Sequence, residues 1–344
     1  MYSDANLRNI GKLSNDRSNG MTKTATAGLQ ALTDSAYAWL APHASWGWSN
    51  AGLIVDGEES LLVDTLFDLA LTDEMLRAMR KAEPRAKSIG TLVNTHANGD
   101  HCHGNELVAD ARIIASSASA REMNELPAEA LAAIMEMAAT MGPVGEYFLH
   151  CFGQFRFSGI THTPPNSTFD GHLDLRVGDK PVHLIEVGPA HTRGDVLVHS
   201  PVDRTVFTGD ILFIEGTPIM WQGPVANWIK ACRLIEGMDV DHIVPGHGPI
   251  TDKKGVTAVR QYLEYVRDQA RARFDAGMSA FDAARDIELR EYSAWSDSER
   301  IAVNVDSLYR EFAGAQVSTD IFELFSRMAE LAGFCGKSPT ARQP

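Results

Sequence analysis

Short runs of apolar residues bounded by turn formers dominate the chain up to about position 100. Ala36–Leu40, Gly52–Val55 and Leu61–Asp64 read as strands, with Asp56-Gly57 turning a hairpin between the last two. Leu71, Met75, Leu76 and Met79 then fall on one helical face, with Thr72 or Asp73 as the expected cap, and Ser88–Asn94 follows as a strand. Residues 117–150 are rich in Ala, Met, Leu and Glu, with Pro127 at a helix start. They read as two helices inserted between sheet elements, a kind of insertion that lines a pocket or a subunit interface. The order then repeats. Strands are expected at Leu173–Val177, Val182–Val187, Val196–His199 and Thr205–Thr208, a helix near Val225–Ile235 and a strand at His242–Val244. Two successive units of strands, helix and strand predict an α/β sandwich with the sheets facing each other and helices outside. Beyond Thr251 the spacing is helical throughout, first at Val256, Val259, Tyr262, Leu263 and Val266, then at Ile301, Val305, Leu308 and Phe312.

This divides the 344 residues into a leader over 1–34, a sandwich domain over 35–250 and a helical cap over 251–344. Residues 1–20 are rich in Asn, Ser, Asp and Gly and cannot repay their ordering entropy, so a flexible leader is expected, with Met21 directly after it. Composition narrows the function. With 31 Lys plus Arg against 45 Asp plus Glu, the net charge of −14 disfavours nucleic acid and anionic membrane as partners. Apolar residues at 44% and charged residues at 22% suit an ordinary globular chain, and no apolar run approaches the length of a membrane span. The four cysteines, Cys102, Cys151, Cys232 and Cys335, are scattered without CxxC spacing, which fits reduced thiols in a cytoplasmic protein. The apolar excess over 128–141 predicts a homodimer.

Candidate chemistry lies in segments that each follow a predicted strand: Thr95-His96-Ala97-Asn98-Gly99-Asp100-His101, closed by Gly104-Asn105, then Ala190-His191-Thr192-Arg193-Gly194-Asp195, Phe207-Thr208-Gly209-Asp210 and Pro245-Gly246-His247-Gly248. His96, Asp100, His101, His191, Asp210 and His247 make four imidazoles and two carboxylates, a donor set suited to zinc and, less selectively, to iron or manganese. Six donors suffice for two ions.

In order and spacing these motifs resemble the metallo-β-lactamase-fold hydrolases, whose first motif is written HxHxDH. The resemblance implies a four-layer αβ/βα sandwich, a first site of His96, His191 and position 98, a second of Asp100, His101 and His247, and Asp210 bridging them. Position 98 departs from the pattern: the Asn98 amide is a weaker donor than imidazole, so the first site should lose affinity while the second stays complete. A di-metal centre with one labile ion, a mono-metal centre and a different metal all remain open. Cys102 and His103 are alternative ligands or, more simply, packing residues beside His101. Asp195, Thr192 and Arg193 are expected to support the loop.

The resemblance further implies a metal-activated water acting on a small organic ester, thioester, lactone or activated aromatic substrate, with Asp100 or Asp210 orienting the nucleophile and shuttling its proton. Trp46, Trp48, Leu212-Phe213-Ile214 and Met220-Trp221 stand where such enzymes build pocket walls, or else are core residues. The segments Ser293–Trp295 and Asn304–Arg310 resemble the C-terminal part of a group that includes polyketide cyclases and hydrolytic dehalogenases. A metal-dependent cyclase or dehalogenase is therefore one alternative, and a non-catalytic binding module with a degraded metal site is another.

Overall fold

The computed structural model describes residues 27–314 and 319–334. Its first sheet is built from β1 (Gly28–Ala31), β2 (Ala36–Leu40), β3 (Ala51–Asp56), β4 (Glu59–Val63), β5 (Thr91–Val93), β6 (Arg112–Ser116) and β7 (Ser167–Phe169), in that spatial order. The first four strands are antiparallel neighbours, and β4 to β7 pair in parallel. The second sheet, in the order β12-β11-β10-β9-β8, contains β8 (His172–Val177), β9 (Lys180–Glu186), β10 (Val196–Ser200), β11 (Thr205–Phe207) and β12 (His242–Val244). Its one parallel pair is β11 with β12.

Period-two patterning explains how the sheets stack. Ala38, Ile54, Leu61, Val63 and Ile114 from the first sheet meet Val182, Leu184, Val196, Val198 and Phe207 from the second in one buried core. The opposite face of the first sheet, with Leu53, Val55 and Leu62, is covered by Met75, Leu76 and Met79 of α1 (Leu69–Ala82). The outer side of the second sheet packs Leu197, Val206 and Ile243 with helical residues such as Trp228, Ile235, Val259 and Leu263. This is the expected four-layer α/β sandwich.

Several boundaries differ from the sequence reading. The cap of α1 is Asp68, whose Oδ1 accepts from Leu71 N at 2.9 Å, in place of Thr72 or Asp73. Thr72 is buried instead, its hydroxyl donating to the Asp68 carbonyl at 3.0 Å. The 88–94 strand shortens to Thr91–Val93. After α2 (Gly99–Cys102), the 117–150 insertion forms three helices, α3 (Ser117–Glu122), α4 (Ala128–Met137) and α5 (Pro143–Phe152). Residues 28–31, within the expected leader, form strand β1 on β2. Residues 1–20, Met21 and Cys335 lie outside the described residues. Cys102, Cys151 and Cys232 are free thiols.

The remaining helices are α6 (Val225–Gly237), α7 (Lys253–Asp275), α8 (Ala280–Asp286), α9 (Ile301–Ala313) and α10 (Ile321–Leu331). Helix α10 bridges the C-terminal helices and the insertion: Arg327 pairs with Asp306 of α9 at 2.9 Å, and Phe325 stacks on Phe148 of α5 with centroids 4.4 Å apart. Among the described residues, no helix is long and apolar enough to cross a membrane.

Candidate metal centre

The site forms where the strands of both sheets end. Asp64 follows β4, the 96–101 segment follows β5, His191 sits between β9 and β10, Asp210 follows β11 and His247 follows β12. Two glycines permit the close approach of these loops: a Cβ on Gly246 would collide with Asp210 Oδ1, and Gly209 takes a left-handed φ of +49° against Thr95.

Four of the expected donors, the imidazoles, converge on a fifth, Asp210. His191 Nε2 and His247 Nε2 each lie 3.3 Å from its Oδ2, His96 Nε2 lies 3.6 Å from the same oxygen, and His101 Nε2 is 3.1 Å from Oδ1. Asp100 Oδ2 is 3.4 Å from His247 Nε2 and 4.0 Å from His101 Nε2. Donor atoms of His96, His191 and Asp210 lie within 4.8 Å of one another, as do those of Asp100, His101 and His247.

The hydrogen-bond network dictates the imidazole tautomers. His191 Nδ1 donates to the Ile219 carbonyl at 2.6 Å, and His247 Nδ1 donates to the Trp48 carbonyl at 3.0 Å. His101 Nδ1 donates to Asp64 Oδ2 at 2.9 Å. Thr95 Oγ1 gives its proton to the same carboxylate at 2.7 Å, so it must accept from His96 Nδ1 at 3.0 Å. With every Nδ1 committed as a donor, each Nε2 presents a lone pair. His96 Nε2, His101 Nε2 and Asp210 Oδ1 are buried without hydrogen-bond partners. Lone pairs turned on a buried carboxylate repel one another unless a cation stands between them, so the residues fit divalent metal.

The electrostatics agree. Burial drives His96 well below its ordinary value, assisted by His101 beside it. Burial also works against protonated His101 and His247, but the carboxylates outweigh it: Asp210, Asp64 and Asp100 lift His101 well above its ordinary value, and Asp210 and Asp100 lift His247 to about 9. Without metal, protons take the cationic role.

Asn98 turns its amide oxygen Oδ1 to His191 Nε2 at 2.7 Å. Because Nδ1 of His191 is spent on Ile219, both atoms present lone pairs there, a close approach that a shared cation would relieve. His103 and Cys102 stay out of the centre: the His103 ring stacks on Phe67 at 5.6 Å, and Cys102 Sγ lies 3.6 Å from the Ala97 carbonyl. Asp195 is buried and accepts from Thr192 N and Oγ1, shaping the His191 loop. Arg193 is exposed and pairs with Glu125.

A cavity of about 670 Å3 opens onto Asp100, Asp210, His191 and His247, walled by Trp46, Phe213, Trp221, Phe152 and Phe325. Trp48 does not line it; its ring packs on Phe155 at 5.2 Å. Leu131 and Ile134 of the insertion face the same cavity, while Met137 is exposed. Sequence reasoning missed the supporting residues. Asp64 and Thr95 carry the imidazole relay, Arg300 sits 1% exposed with its guanidinium 4.2 Å from the Trp46 ring centroid, and Asn304 fixes Met220 N at 2.7 Å. Signals were there for three of them: Asp64 ends a predicted strand, Thr95 opens the first candidate segment and Asn304 opens the C-terminal segment Asn304–Arg310, whereas Arg300 carried none.

A family model described as the metallo-beta-lactamase superfamily matches residues 45–247. The chain belongs to that superfamily. It is 26% identical over 203 residues to 2,4-dinitroanisole O-demethylase subunit alpha of Nocardioides sp. (strain JS1661), covering 57% of this chain and 51% of that protein. It is 24% identical over 214 residues to the human acyl-coenzyme A thioesterase MBLAC2, covering 58% and 72%. Among solved structures, the sec-alkylsulfatase Pisa1 from Pseudomonas sp. superposes with a TM-score of 0.65 at 15% identity, over 84% of this chain and 50% of that one. A metallo-β-lactamase from Pontibacter korlensis gives 0.51 at 17%, over 70% and 99%. The chain thus spans about half the length of the demethylase subunit and of the alkylsulfatase. The thioesterase and the alkylsulfatase are hydrolytic enzymes by name, and the six donors that the reading as a non-catalytic module would expect to be eroded all stand together here.

Proposed function

We propose that the enzyme hydrolyses an organic ester or thioester whose acyl or aryl portion is apolar, using zinc held by His96, His191, Asp210 and Asn98 on one side and by Asp100, His101, His247 and Asp210 on the other. The observation that carries this reading is the junction of four Nε2 lone pairs and two carboxylates with an aromatic-walled cavity. When bound, a divalent ion in such donor sets acidifies water and polarises the bond to be broken. The chain's own residues do the rest. Asp100 lines the cavity and is the carboxylate placed to orient the attacking water and pass a proton to the leaving oxygen or sulfur. Asp210 contacts all four imidazoles and is spent on holding them. Trp46, Phe213, Trp221 and Phe325 seat the apolar portion and exclude bulk water.

The identity shared with the O-demethylase subunit supports a second reading, attack at an activated aromatic ring, for which the same walls would stack the ring. The test is an assay of the metal-loaded full chain on p-nitrophenyl esters of graded acyl length, an acyl-coenzyme A and 2,4-dinitroanisole, beside Asp100→Asn. Ester or thioester turnover that grows with apolar size and falls at least about 100-fold in Asp100→Asn is expected. Turnover of dinitroanisole alone moves the assignment to the second reading. Absence of turnover on every substrate overturns both, and product masses separate hydrolysis, which adds water, from cyclisation, which loses it.

A further inference from the structure

Three histidines and an aspartate meet on the second sheet, away from the centre and in the loops of neither motif. Asp174 on β8 is the cross-strand partner of His183 on β9, and His183 is the partner of His199 on β10. Their neighbours along each strand, Leu173 and Leu175, Val182 and Leu184, Val198, turn into the core between the sheets. The polar row therefore stands on the opposite face, and His172, two residues before Asp174, joins it. Directly paired residues on one face hold their Cβ atoms about 5 Å apart, a spacing from which side chains converge on a shared point.

They do converge. His172 Nε2 lies 2.7 Å and His183 Nδ1 2.5 Å from the same oxygen, Oδ1 of Asp174. One donor atom from each of these three residues falls within a 4.8 Å group. The His172 and His183 rings are stacked with centroids 5.8 Å apart, and the His199 ring lies 5.9 Å beyond His183. His199 Nε2 is buried and has no hydrogen-bond partner, an orphaned nitrogen at the end of the row. Ligands of a tetrahedral ion with bonds near 2.0–2.1 Å stand roughly 3.4 Å apart, which small rotamer changes of His172, Asp174 and His183 reach.

We infer that this face is a second, peripheral site for a borderline divalent transition metal ion such as Zn2+, ligated by His172, Asp174 and His183 with His199 as the adjacent fourth donor. Imidazole nitrogens with one carboxylate select Zn2+, Ni2+ or Cu2+ over the oxygen-seeking Mg2+ and Ca2+. The ion links β8, the edge strand, to β9, and through His199 to β10, so its effect is to clip an unprotected sheet edge to the sandwich.

The test is a Zn2+ titration by calorimetry and thermal melting on the full chain already loaded at its centre. One further equivalent of Zn2+ and a rise in melting temperature are expected in the parent. Both should vanish, or weaken at least tenfold, in His183→Ala and in the double variant His172→Ala/His183→Ala. Each variant alters partly exposed sheet positions, so the zinc-free melt reports whether the fold survives. Asp210→Ala, which damages the centre, should keep the peripheral equivalent, and this separates failure here from failure of the catalytic reading. Absence of the further equivalent, its persistence in His183→Ala, or equal binding of Mg2+ overturns the inference.

Discussion

The relay through Thr95 and Asp64 makes a sharp test, because one atom exchange should disable both halves of the centre. Asp64 accepts three hydrogen bonds, from Thr95 N and Thr95 Oγ1 at 2.7 Å each and from His101 Nδ1 at 2.9 Å. In Asp64→Asn the amide oxygen keeps the Thr95 N bond on Oδ1, and an NH2 replaces the oxygen that received the other two. That NH2 donates to Thr95 Oγ1 and to His101 Nδ1. Thr95 must then turn its proton toward His96 Nδ1, so both His96 and His101 move their protons to Nε2, where a metal would sit. Loss of the partner that orients a ligating histidine costs about 10–100-fold in metal affinity, or about 1.4–2.8 kcal/mol for each ion. The substitution touches one residue of each donor set, His96 in the first and His101 in the second. Competition with a chromophoric chelator measures the affinities, and 15N shifts of the imidazoles read the tautomers directly. The reasoning is refuted if the folded variant keeps Nδ1–H tautomers and parental affinity at both sites.

Asn98→His replaces the weakly donating amide oxygen beside His191 Nε2 with a second imidazole, and metals per chain, measured by plasma emission on protein prepared without chelator, should rise from near one to near two; two in both proteins would show that the amide oxygen is donor enough to fill the first site. Phe325→Ala removes the ring that touches Phe148, Trp46 and Trp221, with an expected stability cost of about 3 kcal/mol and a shift of kcat/KM toward longer acyl groups, and an unchanged chain-length profile would remove Phe325 from the pocket wall. Glu83 gives a pH dependence remote from the metal. Its hydrogen bonds from Arg85 hold its carboxyl at about 2, below the ordinary 4.5, so the stability it confers is full above 4.5 and disappears as pH falls through about 2. Allowing for the 32% exposure of Arg85, Glu83→Gln should cost about 2 kcal/mol in urea melts at pH 7, with the gap narrowing below pH 4.5; a gap that widens on acidification contradicts the sign.

The six candidate donors that the structure brings together were readable from the sequence, and those that tell the imidazoles where their protons belong were not. The reason is physical. A ligand must be His or Asp, and it must sit on a loop at a strand end, so both chemistry and punctuation mark it. The proton acceptors face no such demand: Nδ1 of His191 and of His247 is held by the main-chain carbonyls of Ile219 and Trp48, which any side chain can accompany. Arg300 escaped notice for a related reason: Asp297 is its local partner, but the rings over its guanidinium, Trp46 and Phe213, are distant in sequence and meet it only when the C-terminal helices close over the sandwich. Cap positions failed locally: Thr72 and Asp73 satisfy the composition of a helix start, but Asp68 also receives Arg156 N at 3.1 Å, a tertiary bond that fixes the turn one step earlier. The same division bears on specificity. A cavity whose floor comes from the superfamily's strand-end loops and whose far wall comes from α5 and α10 can change substrate by altering the helices alone, leaving Asp64, Thr95 and the four imidazoles untouched. Substitutions at Phe148 or Phe325 should accordingly move substrate preference without moving metal content, and those at Asp64 should do the reverse.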